Sequence, residues 1–338
     1  MRPTRNDVHF GFDPEGGVGI VGAGENHMRL ASILPSGSVE PVPVAAAPDG
    51  TWIELAGLIG RDAPRMRTAL PWLMVHGGHL AERAAAWRGP RYRESEFSFL
   101  PPVVRPHSFR DFFAFEEHAK AARGRSGVAL PAAWYEVPMF YFSNHNALVG
   151  HNAAVPPPAG CAEMDFELEL GIVIGRGGRD IAPARAWEHV MGCTIINDLT
   201  ARDLQRKELA VGLGPTKSKD FATAVGPWLV TRDVLADRIA GEKLTLEMSA
   251  RVNGRELSRG NVGALYHTIP RLIAQASRDA ELFPGDLIGT GTVGSGCILD
   301  LGPEKVGGWL KTGDVVELEV ERIGLLRTRI GKRLSRQL

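Results

Sequence analysis

Asp165, Glu167 and Glu169 alternate with Phe166, Leu168, Leu170 and Ile172 in and just after the run Asp-Phe-Glu-Leu-Glu-Leu-Gly at 165–171. In an extended strand that alternation puts the acids on one face and the apolar side chains on the other. One Glu-x-Glu by itself reads most simply as the solvated face of an antiparallel sheet. Here it does not stand alone. The next apolar run, 190–196, has the β-branched richness of a buried strand and ends on Asn197 and Asp198, where the chain must turn; Asp111 lies upstream. Carboxylates gathered at one point repel unless a cation neutralises them, and hard oxygen donors select Mg²⁺, Mn²⁺ or Ca²⁺. No Cys/His cluster with zinc spacing competes. The expected ligands are Asp111, Glu167, Glu169 and Asp198.

Further blocks follow in order: Asn197-Asp-Leu-Thr-Ala-Arg-Asp-Leu-Gln205, then Lys219-Asp-Phe-Ala-Thr223 running into Gly226-Pro-Trp. Each block alone is a weak signal. Together, over roughly residues 105–325, they resemble the fumarylacetoacetate hydrolase superfamily. Asp111-Phe-Phe-Ala-Phe-Glu-Glu-His118 sharpens the resemblance to the fumarylacetoacetase-like subgroup, for which it implies a metal-binding Asp and, seven residues on, the catalytic His. Smaller hydratase, decarboxylase and acylpyruvase relatives often carry their His and Glu on a mobile lid instead. The resemblance places the carboxylate partner of the His on a strand after a Gly-Thr turn. Here Gly291-Thr292-Val293-Gly294 leads to Cys297-Ile-Leu-Asp300, so Asp300 stands in place of a Glu. Tyr141 matches a substrate-contacting Tyr and Thr292 a carboxylate-binding Thr. Phe113 and Leu209 occupy substrate-facing positions where the family has Tyr, so a less polar acyl end than fumarate is expected. Arg125, or else Arg123, stands for the family's substrate-binding Arg.

Residue types alone also assemble a mechanism. Cleaving a C–C bond between two carbonyls needs a water nucleophile, donors for a tetrahedral oxyanion and a sink for the departing carbanion. A divalent metal cofactor acts as that sink, as a Lewis acid. His118 is the candidate general base, because histidine titrates near working pH, and Asp300 fixes its tautomer. Arg202 and Gln205, three apart on a helical turn, can face one point and resemble, with Lys219, the family's oxyanion donors. For Arg202 the plainer reading is a structural pair with Asp198 or Asp203. The leading expectation is a hydrolase of a β-diketone, fumarylacetoacetate-like or acylpyruvate-like. The alternative keeps the metal site but runs decarboxylation, tautomerisation or hydration of a 2-oxo acid. A non-catalytic dicarboxylate binder ranks last, since a binder needs neither His118 nor Asp300.

These residues need a scaffold, and the pattern predicts an α+β, mainly β chain: a β-rich roll or barrel as catalytic domain over 105–338 and a small β-rich domain over 28–104, joined at Pro101-Pro102. Strands are predicted at 165–175, 190–197, 226–231, 244–252 and 314–322, with helices at 78–87 and near 268–279. Residues 1–27 read as a flexible extension that makes a poor signal peptide. Their Gly17-Val-Gly-Ile-Val-Gly22 is formally a dinucleotide fingerprint, but no adequate strand precedes it and no helix pattern follows. Lys+Arg and Asp+Glu are equal at 39 each, so no basic field recruits nucleic acid or membrane. At 338 residues and 44% hydrophobic content the chain can bury a large core. Cys161, Cys193 and Cys297 fit no disulfide framework and suit a reducing, cytoplasmic setting. His145 and His151 flank a loop-like stretch and read as packing residues. The aromatic run Trp134, Tyr135, Met139, Phe140 and Phe142 supplies apolar surface for the homodimer that the resemblance implies.

Overall fold

The computed structural model describes residues 28–124 and 129–333. Its centre is set by two runs with no polar face, Leu168–Ile174 and Val190–Asp198, every residue of which is buried. Strands buried on both sides must lie in the middle of a sheet covered on both faces. They pair antiparallel, Leu168 opposite Asn197 and Gly171 opposite Thr194. Val190–Asp198 pairs on its other side with Thr223–Thr231, and Leu168–Ile174 with Leu287–Gly289. Leu287–Gly289 then runs parallel to Phe109–Phe112, with Gly289 opposite Asp111. Phe140–Phe142 closes that side, with Tyr141 opposite Asp111. Among the described residues this sheet has 11 strands.

One face of this sheet packs on a second, five-stranded sheet made by Arg255–Asn261, Glu247–Val252, Val315–Val320, Gly324–Ile330 and Ala154–Val155. Leu170, Ile172, Ile195 and Trp228 meet Met248, Leu318 and Leu326 there. The other face carries Leu30, Ile53, Phe109, Val173, Ile196, Val225 and Leu287, covered by Leu58, Leu70 and Leu73. Each such side chain contributes about 1.5–3 kcal/mol by leaving water. By strand alternation Asp111 lies on the same face as Phe109, Glu169 as Val173, Asp198 as Ile196 and Gly289 as Leu287. That face is therefore apolar at one end and acidic at the other.

The mainly β reading holds, with four differences in detail. The strand expected at 165–175 is interrupted: Met164–Asp165 pairs with Thr200–Ala201, and Leu168–Ile174 starts afresh after Phe166 and Glu167. Asp165 and Glu167 thus do not share one strand face with Glu169. The 28–104 segment does not form a sheet of its own, because Arg29–Pro35 hydrogen-bonds to Thr223–Thr231 and extends the main sheet. Its helices Leu55–Ile59, Met66–His76 and Leu80–Ala86 cap the apolar end of the acid-bearing face. Met66–His76 is absent from the sequence expectation because Pro71 sits inside it, where proline normally ends a helix. Arg255–Asn261, too charged to read as a strand, is the return arm of a hairpin turned by Asn253-Gly254, both at positive φ. The Gly-rich 17–22 motif lies outside the described residues.

Candidate active site

Asp111, Glu169 and Asp198 come from three strands of the main sheet and are buried, with one carboxylate oxygen of each lying within 4.8 Å of the others. Glu169 Oε2 accepts the Gly291 N–H at 3.2 Å, and the Tyr141 hydroxyl lies 2.5 Å from Asp198 Oδ2 and 3.2 Å from Asp111 Oδ2. Asp111 Oδ1 and Glu169 Oε1 are left buried with no hydrogen-bond partner. Buried carboxylate oxygens without donors are costly, so two of them at one point fit a site that binds a cation. Burial and then the Asp198 charge push the Asp111 carboxyl up to about 7. Burial and then Asp111 raise Glu169 well above the usual carboxylate range. Burial also raises Asp198, against the opposing Lys219. An all-oxygen set so short of positive charge fits a hard divalent ion. Space is reserved for it: a Cβ on Gly289 would lie 2.3 Å from Asp111 Oδ1 and 3.0 Å from Glu169 Oε2.

Glu167, expected as a fourth ligand, is placed differently. Its Oε1 accepts from Arg202 Nη2 at 2.7 Å and its Oε2 from Lys219 Nζ at 2.8 Å. Burial alone would raise its carboxyl, but Lys219 and Arg202 outweigh that and hold it down to about 2. Lys219 also reaches Asp198 and the Thr200 hydroxyl, and despite burial these acids raise its ammonium above the ordinary range. Arg202 opens the helix Arg202–Val211 and gives its Nη1 to Gln205 Oε1 at 3.0 Å. Since Arg only donates, Gln205 must face it with oxygen, leaving the amide NH₂ as a donor. The Arg202 pairs expected with Asp198 or Asp203 are replaced by Asp165 and Glu167.

His118 lies on the first turns of the helix Glu116–Gly124, and its Nδ1 sits 3.0 and 2.9 Å from the two carboxylate oxygens of Asp300. Both side chains are buried. Asp300 lies on a short helical turn, Ile298–Leu301, and not on the strand the resemblance implied. Asp165 holds that turn in place: its Oδ1 accepts Ile298 N–H at 2.8 Å and its Oδ2 accepts Leu299 N–H at 3.0 Å. Arg202 Nε binds the same Oδ2 at 2.8 Å. Phe113 sets its ring at 88° to the His118 imidazole, centroids 5.1 Å apart. Near this pair, the sulfur of Cys297 lies within 4.8 Å of ligand atoms of both His118 and Asp300.

The remaining expected residues divide. Tyr141 and Lys219 line a cavity of about 340 Å³ with Phe142, Ser143, Asn144, Lys217 and Asp220. Thr292 Oγ1 donates to the Leu168 carbonyl at 3.1 Å, so its proton is already committed within the sheet. Leu209 is 54% exposed on the helix after Arg202 and does not line the cavity. Arg123 is exposed, and Arg125 lies outside the described residues. Sequence reading missed Asp165 as an anchor and Gly289 as the opening beside the carboxylates. Gly289 had a signal, in that a glycine inside the apolar run Leu287-Ile-Gly marks a close approach.

Fold and site together define a class: mainly β enzymes that bury a carboxylate metal site at one end of a mixed sheet. The chain belongs to the fumarylacetoacetate hydrolase family, for residues 107–331 match the fumarylacetoacetate (FAA) hydrolase C-terminal family. A mitochondrial oxaloacetate tautomerase of Homo sapiens is 31% identical over 252 residues, 74% of this chain and 75% of that protein. The 2,4-didehydro-3-deoxy-L-rhamnonate hydrolase of Sphingomonas sp. (strain SKA58) is 32% identical over 221 residues, 64% of this chain and 70% of that protein. The crystal structure of 5-carboxymethyl-2-hydroxymuconate delta-isomerase from Mycobacterium smegmatis superposes with a TM-score of 0.65 at 26% identity, covering 91% of this chain and all of that one.

Proposed function

We propose that this chain is a divalent-metal-dependent hydrolase that cleaves the C–C bond of a 2,4-dioxo acid, giving a carboxylic acid and a 2-oxo acid such as pyruvate. The observation that carries this reading is the His118–Asp300 contact, a buried base and its orienting carboxylate near Glu167, which Lys219 ties to Asp198 of the three acids. Asp111, Glu169 and Asp198 would hold Mg²⁺, Mn²⁺ or Ca²⁺, with Glu167 beside them clamped by Arg202 and Lys219. Once bound, the ion supplies Lewis-acid polarisation of the dicarbonyl oxygens. Asp300 engages Nδ1 and thereby fixes the neutral tautomer with its lone pair on Nε2. His118 Nε2 takes a proton from water, whose oxygen attacks the acyl carbonyl. The Gln205 amide, oriented by Arg202, is the donor for the developing oxyanion, and the Lys219 ammonium, whose three protons go to Glu167, Asp198 and Thr200, adds positive charge beside it. Nε2 returns the proton to the departing carbon, so one water is consumed per bond broken. Phe113 beside His118 gives the acyl end an apolar neighbour.

The second reading is tautomerisation of a 2-oxo acid. It is favoured by the human relative, an oxaloacetate tautomerase at 31% identity, and needs only the proton shuttle of His118. Incubating the Mn²⁺-loaded protein with a panel of 2,4-dioxo acids and oxaloacetate in ¹⁸O-water separates the two. Hydrolysis puts one ¹⁸O into the released acid and removes the enol absorbance; tautomerisation changes the enol fraction without products. Absence of cleavage across the panel defeats the first reading. The proposal also takes the working form as a cytoplasmic homodimer acting on a small dicarbonyl acid, without nucleic acid or membrane partners. Among the described residues no helix is long and apolar enough to cross a membrane.

A further inference from the structure

Among the described residues, two groups of three or more ligand-type side chains converge to within 4.8 Å: Asp111, Glu169 and Asp198, and separately His118, Cys297 and Asp300. The two sets differ in chemistry. The first offers only carboxylate oxygens. The second offers an imidazole nitrogen, a sulfur and a carboxylate oxygen, the donor mixture that zinc prefers over magnesium, manganese or calcium. Cys161 and Cys193 belong to neither group, so Cys297 is the cysteine this site singles out.

We propose that His118, Cys297 and Asp300 form a second metal site, selective for a thiophilic divalent cation such as Zn²⁺, whose occupancy switches the enzyme off. His118 and Asp300 already touch at 2.9 Å, so a small separation of the pair admits an ion bound to both, with the Cys297 thiolate as third ligand. Three protein ligands leave one tetrahedral position open. At rest the thiol is not a nucleophile in waiting. Burial, with Asp165 next in effect, raises it well above the ordinary range, and no hydrogen bond joins it to His118. On binding, zinc displaces the thiol proton to solvent, and the imidazole proton moves from Nδ1 to Nε2 so that Nδ1 is free to ligate. The consequence for activity rests on the reading of His118 as the base: an imidazole that ligates zinc cannot take a proton from water, and an Asp300 that ligates zinc no longer orients it. Because the hard carboxylate set is a separate site, added Mn²⁺ fills that set without expelling zinc from the softer one.

The test uses the full-length protein saturated with Mn²⁺. Zn²⁺ should inhibit the wild type, and Cys297→Ser should need about 10- to 100-fold more Zn²⁺ for the same inhibition while keeping its Mn²⁺-supported activity. Co²⁺ serves as the spectroscopic probe: a thiolate-to-cobalt charge-transfer band should form in wild type and in Cys161→Ser and be missing in Cys297→Ser. Equal zinc sensitivity of wild type and Cys297→Ser, or inhibition that Mn²⁺ reverses in proportion to its concentration, overturns the proposal by placing zinc on the carboxylate set. A missing cobalt band in wild type overturns it too, and does so even if Cys297→Ser proves unstable. A band without inhibition upholds the site and instead defeats the role of His118 as base, so the two failures are distinguishable.

Discussion

Asp300 contacts only Nδ1 of His118, so the two residues have unequal tasks: one moves the proton and the other sets the ring. His118→Ala should lower hydrolytic kcat by about 10² or more with metal affinity intact, and Asp300→Asn should cost less. Cleavage retained by His118→Ala in a stopped-flow assay moves the base elsewhere. The carboxylates make a second prediction. A carboxyl raised in the folded state contributes stability that is fully present below its unfolded pKa, about 4, and is lost as pH rises from there through its folded pKa. Asp111, raised to about 7, loses its contribution between about pH 4 and 7, and Glu169, raised well above its usual range, carries the loss on to higher pH. His151 and His267, both lowered chiefly by burial, are neutral in folded and unfolded chains above about pH 6.5 and do not mask it. The melting temperature of metal-free protein should therefore still be falling as pH rises above about 6.5, with roughly 2–4 °C for each kcal/mol lost. Mn²⁺ should flatten or reverse that slope, because it binds the ionised acids. A level metal-free curve, or activity that survives chelation, counts against the metal site. The acids, His118 and Asp300 were legible because their types and order are unusual. The tie of Glu167 to Arg202 and Lys219 was not, since it depends on the chain breaking out of its strand at 166–167.

A helical turn of four residues, Ile298–Leu301, cannot hold itself in water, yet it must aim Asp300 at His118. Asp165 compensates by accepting two of the N–H groups at its start and the Arg202 guanidinium together. Replacing Asp165 with Asn puts a donor where only donors already point. Asp165→Asn should drop kcat by tenfold or more while leaving metal affinity at Asp111, Glu169 and Asp198 within a fewfold, as read by kinetics and calorimetry. Unchanged kcat would detach this anchor from catalysis. The strand Leu287–Gly289 has a complementary duty, which is to leave space. Gly289→Ala forces a methyl against Asp111 and should weaken Mn²⁺ binding by tenfold or more, whereas Gly171→Ala, which meets Ile196 and Thr194, should cost stability without a selective loss of metal. Equal metal affinity in Gly289→Ala and wild type refutes the spacing argument. Long apolar strands such as Val190–Asp198 were legible from their residues because burial alone specifies them. Short elements like Ile298–Leu301 were not, because a distant side chain supplies the hydrogen bonds that stabilise them.

Across the whole molecule the sheet runs from the N-terminal segment to the Phe140–Phe142 strand without a break between domains, so its two ends face different conditions. The Trp52–Glu54 end is flanked by the helices of 28–104. The sequence showed short strands and the helix at 78–87 there, but neither the helices Leu55–Ile59 and Met66–His76 nor the strands' partner, since an edge pairing such as Arg29 with Val230 joins residues far apart in the chain. The Phe140–Phe142 end is the last strand in the order, and edge strands with apolar side chains invite pairing with another copy. The aromatic run read from the sequence splits here: Trp134 is buried and Phe140 packs on Phe112 with centroids 5.0 Å apart, whereas Met139 is 48% and Phe142 69% exposed. Met139 and Phe142 are therefore the residues expected to meet a second subunit across a two-fold axis. Tyr141, between Phe140 and Phe142, binds Asp111 and Asp198, so an interface on this strand also steadies the metal ligands. Phe142→Asp should yield monomers with weakened Mn²⁺ binding, and both effects should appear together. Light scattering of the native protein at micromolar concentration decides the premise: a monomeric mass there rules out the dimer and leaves Phe142, with Tyr141, only as part of the cavity wall.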